Sequence, residues 1–396
     1  MRSLIVLILL AVGLSGCAQF GAVKELAGSV SELISGTDNA EPPKELQPLD
    51  PTVNLTVVWS ASIGQGFAGR VLNLVPAVTP ATVYVADHLG LVAAHQRADG
   101  ERLWSAETGL ELSAGPVVVG DKLLLGTRNA ELVALNLADG ALLWKTALSS
   151  EVMALPRAGR GVAVVRTSDG RIVGLDLQHG GIKWTHQRPL PALSVRSLGS
   201  PRIQGDLVID GFGAGKLVAL GLEDGRVAWE STLVVPRGRS EVERMVELDA
   251  EPSISNDVVY ATGFQGGLSA VELASGSVLW HQKTGYSSHG TLVGRKTLFL
   301  TDANSDLWAF DLKDGADHWK QDILHQRRLT VPAQLRDYLV VGDFEGYLHL
   351  LRADDGSLVG RIEVDSGEPF IATPEVHEDT VYVYSAGGRL AALRIE

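Results

Sequence analysis

Six times along this chain a turn ends in glycine and a tryptophan follows four residues later: Gly100 to Trp104, Gly140 to Trp144, Gly180 to Trp184, Gly225 to Trp229, Gly276 to Trp280 and Gly315 to Trp319. Self-similarity of this kind commits a chain to a repeat architecture before any other feature is weighed. A seventh copy, Gly356 to Gly360, has lost its tryptophan, and Trp59 stands alone with no turn before it. An apolar run precedes each turn, at 91–94, 132–135, 172–175, 217–220, 268–271, 307–310, 348–351 and 390–393, eight runs in all. The C-terminus therefore supplies the front of the unit that Trp59 completes.

Residues 57 to 396 number 340, or 42.5 per unit, the length of four short strands with their turns. In the second unit the strands read as 116–119, 122–125, 132–137 and 141–145, separated by Gly120-Asp121, 127–130 and Asp139-Gly140. Turn chemistry at each break marks hairpins. Runs this short and apolar suit sheets covered on both faces, as blades stacked around an axis are. The expected fold is all-β, an eight-bladed β-propeller of four-stranded antiparallel blades whose ring is closed by pairing the N- and C-terminal strands. That closure removes an exposed edge. An open solenoid would have no reason to split one unit between the two termini. The repeated Trp and Gly are read as inter-blade packing, and Trp308, inside an apolar run, as core.

Composition narrows function mainly by exclusion. A net charge of −13 leaves no basic surplus with which to neutralise nucleic-acid phosphates. A single cysteine excludes a disulfide framework and any zinc site with more than one sulfur.

That cysteine follows Arg2, the apolar run 4–12 and Leu14-Ser15-Gly16, which reads as a secretory signal and resembles the bacterial lipobox, in which the cysteine is acylated. Residues 1–16 are expected to be a lipoprotein signal peptide and Cys17 the lipidation site. With Ala18 rather than Asp after it, the resemblance implies the outer membrane. Residues 17–55, with the proline-rich run 41–51, read as the lipidated N-terminus and a flexible tether, and 56–396 as the propeller.

The unit running from Ala134 to Trp144, Ala-x-Asn-x-x-x-Gly-x-x-x-Trp, resembles the tryptophan-docking repeat of pyrroloquinoline-quinone dehydrogenases. Joined to a lipobox, it resembles the BamB-type lipoproteins of the outer-membrane β-barrel assembly machinery, over essentially the whole mature chain. Enzymes and scaffolds share this repeat. Quinone dehydrogenases use a carboxylate base, a calcium ion and typically an adjacent cysteine pair. Here the only cysteine belongs to the lipid, and most Asp residues sit in Asp-Gly turns that explain them. No His-x-x-x-His, Gly-x-Ser-x-Gly or phosphate-loop pattern occurs, and Gly211-Phe212-Gly213-Ala214-Gly215 reads as a hairpin. No enzyme, cofactor or metal is expected. A lipid-anchored quinoprotein-like enzyme or ligand-binding propeller stays the alternative.

Scaffolding leaves a different trace, in unequal connections. From an outer-strand Trp to the Pro that opens the next blade the spacing is 12 at Trp104 and Trp144, 13 at Trp319, 17 at Trp59 and Trp184, and 23 at Trp229. Neighbouring connections 185–200 and 230–251 are thus both long and emerge on one face, where binding is commonly built. The first carries Leu190-Pro191-Ala192-Leu193-Ser194-Val195-Arg196; the second carries Arg237, Arg239, Glu241, Glu243, Arg244, Glu247 and Asp249. In BamB-type proteins the corresponding loops contact a POTRA domain of BamA. Position by position, the resemblance points to Leu193, Val195, Arg196, Glu247 and Asp249, with Glu247 standing where Asp is expected. It also implies membership of the BAM complex, transient contact with unfolded outer-membrane proteins through β-augmentation, and a lipid-anchored location facing the periplasm.

Overall fold

The computed structural model describes residues 41–188, 198–237, 239–240, 244–284, 287 and 290–396, of which Pro43–Glu396 forms one compact unit. No helix occurs among the described residues, and the strands form eight sheets. Seven blades are consecutive four-stranded antiparallel meanders. Blade 1 comprises Ala77–Val78, Thr82–Ala86, Leu91–Gln96 and Arg102–Glu107; blades 2 to 7 open at Leu112, Arg157, Arg202, Ser253, Leu292 and Ala333. The short Asn73–Leu74 adds a parallel strand to the inner edge of blade 2. Blade 8 joins Glu375–His377, Thr380–Tyr384 and Arg389–Ile395 to Leu55–Ser62, in the register Leu55 to Ile395 and Ser62 to Arg389. The expected eight-bladed ring, closed by the two terminal strands, is the observed one.

Burial explains the pattern of the strands. The second and third strands of each blade are covered on both faces, as in Thr82–Ala86, whose five residues are all buried. Outer strands alternate instead, as in Leu142–Ala147, where Trp144 is buried between exposed neighbours. The core is thus a set of apolar slabs between adjacent blades. One slab joins Leu124, Leu132 and Trp144 of blade 2 to Val165, Val173 and Leu175 of blade 3.

Each outer-strand tryptophan docks on the next blade. Trp184 Nε1 donates to the Leu222 carbonyl at 2.9 Å, and a Cβ added to Gly225 would lie 2.4 Å from Cε3 of the same indole. The same Trp-to-next-glycine contact recurs from Trp59 with Gly100 to Trp319 with Gly356. All seven glycines have positive φ, between 67° and 78°, so backbone and indole both demand glycine. A β-bulge at the start of every outer strand marks the same position.

This arrangement accounts for the missing eighth tryptophan. The turn on which blade 7 would dock is, in blade 8, the gap between the chain termini, where Glu396 N–H donates to the Asn54 carbonyl at 3.1 Å. With no glycine to receive it, an indole at position 360 would have no seat. The chain itself fills the space: Thr52 and Val53 N–H both donate to the Val359 carbonyl, and a Cβ on Gly360 would lie 2.4 Å from the Val53 carbonyl oxygen. Gly360→Trp, which restores the repeat in sequence, is therefore expected to lower stability by about 1–3 kcal/mol through overpacking, measured by denaturant unfolding.

Two sequence expectations need adjusting. The last part of the segment read as flexible tether is a strap on the body: Lys44 N–H donates to the His325 carbonyl at 3.0 Å, Arg361 Nη1 to the Gln47 carbonyl at 3.0 Å, and Leu46 packs against the cluster of Leu324 and Leu329. Its prolines bar helix but leave carbonyls free to accept from arginine. Trp308, read as core, is only partly buried. Its Nε1 donates to Asp302 at 2.9 Å, and Lys320 Nζ sits 4.9 Å from its ring centroid. Residues 1–16 and Cys17 lie outside the described residues.

Candidate interaction face

The connections between blades leave the ring on one face, and the two long ones follow blades 3 and 4. Leu193, Val195 and Arg196 in the first lie outside the described residues. The second can be followed closely at its end. Residues 246–250 are buried, Glu247 at 5% and Asp249 at 3% exposure. They run as a rib between blades 4 and 5: Glu247 bridges Gly213 and Phe264, and Leu248 N–H donates to the Phe212 carbonyl at 3.2 Å. Three glycines make room for it. A Cβ on Gly199 would lie 1.8 Å from the Asp249 carbonyl oxygen, on Gly211 1.7 Å from that of Leu248, and on Gly263 1.9 Å from that of Glu247. Glu247 and Asp249 therefore sit beneath the face, not exposed upon it.

Beside the rib lies a charged cluster that sequence reading did not single out. Arg166 Nη1 donates to Asp210 Oδ1 at 3.2 Å and to the Gly211 carbonyl at 2.9 Å. Asp210 is buried; burial pushes its carboxyl up to about 6 against the opposing pull of Arg166. Burial likewise raises Asp249. Arg166 and Arg188 both lie near the Phe212 ring, at 5.5 and 5.3 Å from its centroid, within cation–π range. Arg188 also pairs with Glu230 at 2.8 Å, and Lys216 joins the same carboxylate at 2.7 Å. Their hydrogen bonds hold Glu230 down to about 2. The hairpin expected at 211–215 is present, between Leu207–Phe212 and Lys216–Gly221, and it is what carries Phe212 to this place. The signal was an aromatic inside a glycine-rich turn, with arginines just past the ends of neighbouring strands.

Next to the rib a hollow of about 600 Å³ is lined by Leu233, Val234, Val235, Val246, Arg237, His281 and Lys283 among others. Burial and the charge of Lys283 lower the His281 pKa, so its imidazole is neutral near pH 7. Among the described residues there is no cluster of metal-ligating side chains and no helix long and apolar enough to cross a membrane. The arrangement offers a rigid, partly apolar face with cationic side chains, suited to holding another polypeptide.

A second charged network lies under the connection from blade 6 to blade 7. Asp343 is fully buried and its Oδ2 accepts from Arg327 Nε at 2.9 Å, Arg327 Nη2 at 2.7 Å and His349 Nε2 at 2.9 Å. Arg361 Nε donates to His349 Nδ1 at 3.3 Å, which fixes the neutral tautomer with its proton on Nε2. Arg327 Nη1 also donates to the Lys44 carbonyl at 3.1 Å, so this network anchors the strap.

A family model described as outer membrane protein assembly factor BamB matches residues 88–321. Proteins of that name share 46% identity over 364 residues in Alkalilimnicola ehrlichii, covering 92% of this chain and 94% of that one. The Legionella pneumophila protein shares 43% over 367 residues, covering 92% and 95%. The crystal structure of BamB from Moraxella catarrhalis superposes with a TM-score of 0.76 at 23% identity, covering 86% of this chain and 100% of that one. Quinohemoprotein alcohol dehydrogenase from Comamonas testosteroni superposes with a TM-score of 0.68 at 12% identity, covering 86% and 76%, a likeness of fold.

Proposed function

The chain belongs to the family of outer membrane protein assembly factor BamB, and from that premise we propose that it is a lipoprotein scaffold of the β-barrel assembly machinery. It is not an enzyme. In this reading residues 1–16 are removed, Cys17 carries the lipid at the outer membrane, and the propeller faces the periplasm. There it binds a POTRA domain of BamA and assists folding and insertion of outer-membrane β-barrel proteins, whose unfolded chains are transient partners.

The observation that carries the reading beyond the family is the rib. Two long neighbouring connections share a face, and the end of one is locked between blades by Gly199, Gly211 and Gly263. A rigid support of this kind lowers the ordering cost of binding. Leu193, Val195 and Arg196 make the contact with BamA, while Glu247 and Asp249 fix the rib under it.

The test is mass spectrometry of proteins co-purifying with the tagged lipoprotein from detergent-solubilised envelopes. BamA is expected with wild type and lost with Arg196→Glu, whose circular dichroism stays native. Gly211→Ala, with ordinary backbone geometry but no room for a methyl beside Leu248, should displace the rib and reduce BamA recovery at least tenfold. Absence of BamA from the wild-type eluate overturns the proposal.

A further inference from the structure

Six of the eight innermost strands begin just after a proline, blade 2 carries its proline inside the strand at Pro116, and the residue following each of these prolines lines the axial cavity. Around the ring this position reads Ala77, Val117, Arg157, Arg202, Ser253, Leu292, Ala333 and Glu375, with Leu292 in the blade that lacks the proline. Most are small or apolar, but Arg157 and Arg202 stand side by side on blades 3 and 4, and Glu375 comes from blade 8. They line an axial cavity of about 750 Å³, within the range of small-ligand sites. Glu251, at the end of the rib, completes its charged residues among the described ones.

With Glu375 protonated, the charges do not cancel. Glu251 is shared: Arg157 Nη2 bonds its Oε1, and Arg202 Nε approaches the same oxygen at 2.7 Å. Arg157 Nε is buried without a hydrogen-bond partner. Glu375 accepts no hydrogen bond among the described residues and projects into the channel, exposed to its solvent. Although water reaches it, the surrounding cavity wall desolvates its carboxyl and pushes it up to about 7, against the pull of Arg157 and Arg202 and with that of Glu251. Two guanidinium groups thus face one committed carboxylate, with an orphan donor, in a chain that is otherwise acidic. The rest of the wall combines an apolar part, with Val75, Pro76, Pro116, Val293, Pro332 and Ile371 prominent, with the polar Asn73, Thr291, Gln334 and Thr373.

We propose that this channel mouth binds an apolar molecule bearing a single carboxylate, the acid held by Arg157 and Arg202 and the apolar body against the proline and valine wall. One surplus positive charge suits a monoanion, and charge-assisted bonds to guanidinium are the strong kind. Glu375 sets the pH response. Ionised above about pH 7, it repels the ligand; protonated below, it can donate to it. The other charged groups facing it are Arg157, Arg202 and Glu251. The proposal does not depend on BamA binding.

The test is isothermal titration calorimetry of the full mature protein with octanoate and, as a second source of the same chemistry, N-acetyl-leucyl-leucine. Each is compared with its amide and with inorganic phosphate. Saturable binding of either acid at pH 6, at least tenfold tighter than its amide and than phosphate, supports the proposal, and which acid binds identifies the source. Affinity should fall at least fivefold from pH 6 to pH 8, and this dependence should vanish in Glu375→Gln, which breaks no ion pair. Arg157→Gln and Arg202→Gln should each weaken binding at least tenfold. No saturable binding of either acid by folded wild type up to 10 mM, or equal binding of acids and amides, overturns it.

Discussion

Asp343→Ala is expected to cost about 3–5 kcal/mol of unfolding free energy, because it removes the buried carboxylate that pairs Arg327 and leaves only the half-exposed Glu345 opposite that guanidinium. Arg327 is 2% exposed and takes two hydrogen bonds to Asp343. Asp343 Oδ1 meanwhile accepts the Glu345 and Tyr347 amides at 2.9 and 3.0 Å, so the turn loses its internal acceptor too. Urea unfolding gives the size of the loss, and amide exchange at 322–331 should show where it is felt. The network also makes the fold sensitive to acid. Burial tends to raise the Asp343 pKa, but the hydrogen bonds from His349 and Arg327 outweigh it and hold it below its usual value. Burial holds His349 below its usual 6.5, so it stays neutral when folded while the unfolded chain takes up a proton. Stability from His349 is therefore present above pH 6.5 and lost as pH falls from there towards its folded value. That from Asp343 is lost only at still lower pH, below the usual carboxylate range. In His349→Gln the loss beginning near pH 6.5 should shrink to that contributed by His186 and His281, whose pKa values burial also lowers.

Gly225→Ala should cost about 2–5 kcal/mol, the sum of a left-handed alanine at about 1–2 and overpacking against Trp184 at about 1–3. Gly205 is the control that separates the two. Its φ is +60°, close to the +67° of Gly225, but nothing lies within 4 Å of an added Cβ. Gly205→Ala should therefore show only the backbone cost, about 1–2 kcal/mol. Denaturant unfolding of both measures tryptophan docking as their difference. Equal losses would mean that the indole yields without strain, and that the glycines serve backbone geometry alone.

The repeat could be read from sequence because docking imposes two residue types at fixed spacing, glycine for the turn and the indole seat, tryptophan for the plug. The ring closure followed from one orphan tryptophan. The strap was misread because Pro48, Pro51 and the charges around them look solvated, and its stability comes from arginines and hydrophobic clusters more than 270 residues away. Gly360 was the available clue, since a repeat that drops its largest side chain implies something else in that volume. The rib was hidden by its charges. Val246, Leu248 and Ala250 alternate with Glu247 and Asp249, a period of two that reads as strand, yet the carboxylates drew attention to the surface. The axial arginines stand out only against the equivalent positions of the other blades, where most of the residues are small or apolar.

The strap changes how the ring would respond to being pulled. Tension entering at Lys44 would meet the connection between blades 6 and 7 first, then the outer strand of blade 7, and only then Leu55–Ser62, whose partner is the last strand of the chain. Each of these contacts must slide before the closing strand can be peeled away. The joint at which a propeller would be expected to unzip is thus shielded by a friction clamp made from the same chain, upstream of the strand it protects.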